Sequence, residues 1–87
     1  MRAPSEAATP LELPPHHREL VAALSPRERE VLRLLLSGHR VASMARTLSV
    51  SPFTVRNHLR AVFRKMRAHS QQQLIEIFRG VKPEALA

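Results

Sequence analysis

The 87-residue chain has no cysteine, aspartate, tryptophan or tyrosine, and only two glycines. Each absence excludes something. Without cysteine there is neither a disulfide nor a thiolate metal site. Without aspartate there is no aspartyl phosphoacceptor, hence no receiver-type switch, and no Asp-based metal cluster. Gly38 and Gly80 alone cannot build a glycine-rich phosphate-binding loop. Single-strand and RNA binders stack bases on aromatics, and here the only ones are Phe53, Phe63 and Phe78, the last two expected in the core. No apolar run approaches the roughly 20 residues of a membrane span. Met1-Arg2-Ala3-Pro4 leads into no hydrophobic signal region, so the expected location is the cytoplasm, with no membrane partner.

Catalysis is poorly provided for. The five histidines are scattered, and no acid lies between Glu30 and Glu76 to orient one. His16-His17 has no further ligands beside it. The expectation is no enzyme, no metal and no cofactor.

What the chain does have is positive charge, unevenly placed. The net charge is +7, yet residues 1–30 carry four Arg against five Glu, and residues 76–87 balance. Between them, residues 31–75 hold Arg33, Arg40, Arg46, Arg56, Arg60, Arg64, Lys65 and Arg67 with no acid. Such a segment favours a polyanionic partner. Hydrophobic residues make up 44% of the chain, enough for one compact core and no more at this length.

The pattern along the chain is helical throughout, with no convincing period of two. Residues 1–15 carry Pro4, Pro10, Pro14 and Pro15 and are expected to be disordered, and Pro15 can open a short helix over 15–23. Ser25-Pro26-Arg27-Glu28 is a strong helix start, with a cap, a proline at the first position and a capping-box glutamate. Leu24 is placed to staple it. That helix covers 26–37 and ends at Gly38, a natural left-handed terminator. A second runs over 41–48. Ser51-Pro52-Phe53-Thr54 repeats the start signal for a third, over 52–67. Ser70 and Gln73 form another capping box, for a helix continuing to Arg79 and stopped by Gly80 and Pro83.

Only Ser49-Val50-Ser51 joins the second and third of these, which forces the sharp crossing of a helix-turn-helix. The second helix of such a pair can lie in the DNA major groove while the first crosses the backbone. At about 100° per residue from Arg56, Val55, Leu59, Val62 and Met66 fall between roughly −120° and −60°. Arg67, Arg60, Arg64 and Asn57 fall between about 20° and 100°. Ordinary surface helices interleave acids with bases. The 52–67 helix has five basic residues and no acid.

The chemistry of that basic fan suits base reading, since Arg pairs bidentately with guanine and Asn with adenine. Arg56, Asn57 and Arg60, in the first two turns, are the expected base readers. Arg64 and Lys65 are better placed for phosphates. Ser51 and Thr54 offer hydroxyls and backbone N–H groups to a phosphate at the helix N-terminus. His58 lies at the edge of the apolar face, and both a phosphate contact and simple packing are open to it.

The run Leu24-Ser25-Pro26-Arg27-Glu28-Arg29-Glu30-Val31-Leu32, with Gly38, Ala45 and Leu48, resembles the opening of LuxR-type helix-turn-helix domains. Ser51-x-x-Thr54-Val55-Arg56-Asn57-His58-Leu59, with Arg64-Lys65-Met66 and Ser70, resembles their recognition helix and the step beyond it. The match is unbroken over about 24–80. It implies an all-α, compact four-helix tetrahelical domain over 24–80, a flexible or partly helical extension over 1–23 and a C-terminal tail over 81–87. It also implies a bacterial transcription regulator that binds duplex DNA as a homodimer on paired half-sites. By position it repeats the assignment of Arg56, Asn57 and Arg60 to bases and of Thr54, Arg64 and Lys65 to the backbone.

Three departures qualify the resemblance. Val41-Ala42-Ser43-Met44-Ala45 replaces an Asn-Lys-Glu-Ile-Ala type opening, so a backbone lysine is missing and Arg40 or Arg46 must substitute. Arg67 stands where many members have glycine, so the helix closes differently there or gains a phosphate contact. Residues 1–23 cannot supply the usual sensor domain, which implies a small stand-alone regulator of the GerE kind or a domain from a larger protein. In the last helix, Leu74, Ile75, Ile77 and Phe78 exceed one buried stripe. Leu74, Ile75 and Phe78 are dimer-contact candidates, with Ile75 the outward one, although all can equally complete the monomer's core.

Two other readings compete. One is a region-four-like sigma-factor domain, which shares the Ser25-Pro26-Arg27-Glu28 opening. The other is a helical adaptor that contacts RNA polymerase or a partner regulator.

Overall fold

The structure, a computed structural model, describes residues 15–86. The proline-rich stretch expected to be disordered lies, up to Pro14, outside the described residues. Five helices follow in order: α1 (Pro15–Ala22), α2 (Pro26–Leu36), α3 (Val41–Leu48), α4 (Pro52–Met66) and α5 (Gln71–Ile77), then a 3₁₀ turn over Pro83–Leu86. No strand occurs among the described residues.

The starts of α2 and α4 are fixed by side chains. Ser25 Oγ accepts from the Glu28 N–H at 3.1 Å, and Glu28 Oε1 accepts from the Ser25 N–H at 2.9 Å, a complete capping box. Ser51 Oγ accepts from the Thr54 N–H at 3.1 Å and donates to Thr54 Oγ1 at 3.0 Å. At α5 the expected box is altered. Ser70 Oγ caps the Gln73 N–H, but Gln73 Oε1 reaches one residue further, to the His69 N–H. This helix also ends sooner than its apolar pattern suggested, at Ile77, and Phe78 has left helical geometry.

Three helix ends share one closure. Gly38, Ser49 and Arg67 all have left-handed backbone, with φ of 94°, 57° and 56°. The N–H of the following residue then bonds five residues back, His39 to Leu34 O, Val50 to Ala45 O and Ala68 to Phe63 O, at 2.9–3.0 Å. This is the Schellman arrangement, which satisfies carbonyls that the helix end would leave bare. Only at Gly38 is the backbone without a steric cost; Ser49 and Arg67 hold it against their own Cβ. Arg67 thus closes α4 as a glycine would, rather than differently.

The core has α2 and α4 at its centre. Val31, Leu32, Met44, Val55, Val62 and Leu74 are fully buried, with Leu24, Leu34, Leu35, Ala45 and Met66 around them. The termini contribute more than expected. Val21 of α1 is buried, and His17 Nε2 lies 2.7 Å from Ile77 O while its ring sits against Phe78. Leu86 is 1% exposed and its 3₁₀ turn packs on α2, so this turn is anchored to the core through Leu86 and is not a free tail. Leu74 and Phe78 are likewise core residues of the monomer, at 0% and 2% exposure, and present no surface to a partner. Of the three contact candidates, Ile75 alone faces outward, 41% exposed.

Candidate nucleic-acid interface

Helix α4 is fifteen residues long and divides cleanly. Val55, Val62 and Met66 are buried, and Leu59 and Phe63 lie half-buried against the core. Arg56, Asn57, Arg60, Arg64 and Lys65 are exposed, as is Arg67 at the cap. The closure at Ser49 and the cap at Ser51 leave no slack between α3 and α4. Helix α4 is therefore set by α3 packing on one side and α2 on the other.

Within the fan the structure joins two of the expected base readers. Arg60 Nη1 donates to Asn57 Oδ1 at 2.8 Å. One turn apart, they present a paired group with further N–H donors toward solvent. Arg56 lies beside Arg60 across a shallow apolar hollow floored by Leu59 and Phe63.

The phosphate candidates separate. Arg64 and Arg67 project from the far end of α4, and Arg40 and Arg46 are exposed on α3, the other helix of the motif. Arg40 is the N-cap of α3 but makes no side-chain cap; instead the His39 ring lies 2.8 Å from Ser43 Oγ across that terminus. Ser51 remains exposed, but its hydroxyl already holds the Thr54 N–H, and Pro52 has none to offer. Lys65 is engaged elsewhere. Its Nζ lies 2.7 Å from Glu28 Oε1, the oxygen that also caps α2. His58 is half-buried, between the apolar side of α4 and the fan.

Glu28 is the buried polar residue of this region. The Lys65 ammonium holds its carboxyl below the ordinary value of 4.5, against an opposing push from burial, with the Ser25 N–H adding to the Lys65 effect. Sequence reading placed Glu28 only in a capping box. Nothing in the local pattern signals that Lys65, 37 positions away, completes its environment.

Comparison with known proteins agrees with this geometry. The family model described as bacterial regulatory proteins, luxR family, matches residues 22–78. The chain belongs to the LuxR family. Its two-helix motif and exposed basic helix are that family's DNA-binding, transcription-regulating domain. The chain is 39% identical over 57 residues to the transcriptional regulatory protein FixJ of Bradyrhizobium diazoefficiens, covering 66% of this chain and 28% of FixJ. It is 34% identical over 65 residues to the response regulator protein TodT of Pseudomonas putida, covering 75% of this chain and 29% of TodT. A putative HTH-type transcriptional regulator of Mycobacterium tuberculosis is 41% identical over 54 residues, covering 62% of this chain and 6% of that protein. The chain thus spans less than a third of the length of these relatives. No solved structure matches it.

Proposed function

We propose that this LuxR-family domain recognises a specific duplex sequence by laying α4 in the major groove. The observation that carries the proposal is the division of α4. One side is buried against α2 and α3, and the other sets basic and amide groups around the exposed Phe53, with no acid on the helix to compensate them. Arg56, Asn57 and Arg60 face base edges. The Arg60–Asn57 bond restrains both side chains before docking, which lowers the conformational entropy lost on binding. Arg64, Arg67, Arg40, Arg46 and the Thr54 hydroxyl serve phosphates on either side.

Lys65 has a second candidate role: its contact with Glu28 makes it a strut between α2 and α4, which sets the angle of the reading helix. The domain works in the bacterial cytoplasm, pairing through α5 with Ile75 at the contact so that two copies read two half-sites. Selection of bound sequences from random duplexes tests the whole reading. The expected result is a short motif, repeated with two-fold symmetry. Affinity should also fall steeply with salt, with a log–log slope of about −0.9 per phosphate neutralised. A flat salt response, or enrichment of no sequence, would exclude it.

A further inference from the structure

We propose that Phe53 is a further specificity residue, whose ring meets the 5-methyl group of a thymine in the major groove. The inference rests on the duplex-reading role of α4. Phe53 is 65% exposed, whereas Phe78 is buried and Phe63 half-buried. It is no part of the apolar cluster that holds the domain together. A large apolar side chain left in water costs free energy unless something covers it, and its position says what does.

On the helical wheel Phe53 falls about 60° from Arg56, between Arg60 at about 40° and Arg64 at about 80°. It therefore stands in the middle of the basic fan and not at the edge of the core. It is also the second residue of α4, at the end that enters a groove deepest. Four cations flank this face, Arg56, Arg60, Arg64 and Arg67, so whatever covers the ring is a polyanion. A phenyl ring cannot hydrogen-bond a phosphate. The apolar group that a major groove displays is the thymine methyl, and phenylalanine is among the side chains suited to contact it.

Deoxyuridine tests this directly, because it deletes that methyl and nothing else. Each thymine of the selected site is replaced singly by deoxyuridine, and binding is measured for the native protein and for Phe53→Ala. The expected result is one position per half-site where the native protein loses about fourfold, the value of one buried methyl group. Phe53→Ala should bind thymine and deoxyuridine equally at that position, with unchanged thermal unfolding because the ring supports no core contact. If Phe53→Ala keeps the native discrimination, or if no thymine is sensitive while sequence-specific binding persists, the proposal is overturned and the ring belongs to another partner. Failure of the native protein to bind any duplex would overturn the DNA-reading role itself, and this inference with it.

Discussion

Helices α2 and α4 open alike and close alike, yet they do different work. Each begins with Ser-Pro, has its serine bonded to the third backbone N–H, and ends in a left-handed residue. They differ at that third residue and on the outward face. In α2 the third residue is Glu28, which completes the box and reaches across to Lys65, and acids alternate with arginines. In α4 it is Thr54, whose hydroxyl meets only Ser51, and no acid follows. Start and stop signals therefore say where a helix is. The charge of its free face says what it is for.

The largest effect expected from this contrast is on folding. Leu32, fully buried on α2, should cost about 2–5 kcal/mol when changed to Ala, a large share of the stability of so small a domain. Denaturant unfolding measures the loss. Base preference of the folded fraction should stay the same, and an altered preference would mean α2 does more than support.

Arg60→Ala should do the reverse. It removes an exposed side chain, so unfolding should shift little, while affinity for the selected site falls by about 1–3 kcal/mol and base preference relaxes. Because Arg60 bonds Asn57, the double variant with Asn57→Ala should lose less than the sum of the two single losses. Strict additivity in titrations on the same duplex would show that the pair does not act together.

Glu28 links the two helices and should respond to acid. Its carboxyl is held below its ordinary value by Lys65, so the stability it contributes is present above about pH 4.5 and is lost as pH falls through the lowered value. Thermal unfolding against pH should show a steeper acid limb in the native protein than in Glu28→Gln. Glu28→Ala, which also removes the reciprocal cap, should cost about 1–2 kcal/mol at neutral pH. Lys65→Ala should reproduce much of that loss. Were Lys65→Ala to leave stability intact and lower affinity equally on all duplexes, Lys65 would be a phosphate contact and not a strut.

The same contrast explains how much could be read in advance. Cap residues, Gly38 and the apolar spacing are local, so helix positions and the two-sided character of α4 were legible from neighbouring residues. What escaped depends on distance or on backbone. Lys65 on Glu28, His17 against Ile77 and Phe78, and Leu86 on α2 join segments whose spacing carries no signal. Leu74 and Phe78 exceed one buried stripe of α5, but α1 and the 3₁₀ turn enlarge the core that takes them in. Phe53 is plain in the sequence as an aromatic, but that it stays exposed is decided by how α4 packs. The left-handed turns at Ser49 and Arg67 were hidden because neither is glycine.

That last point gives the smallest effect and the sharpest comparison of the two helix ends. Gly38 closes α2 without strain, while Arg67 closes α4 at φ 56°. A side chain in that conformation costs about 1–2 kcal/mol, and glycine's extra freedom in the unfolded chain takes back about 0.5–1 kcal/mol. Arg67→Gly should therefore stabilise the domain by about 0.5–1 kcal/mol, raising Tm by a few degrees. If Arg67 also serves a phosphate, the variant will lose close to one unit from the salt slope while keeping its base preference. A gain in Tm with an unchanged slope would assign Arg67 to closure alone. A loss in Tm would mean that its side chain repays the strain through contacts of its own.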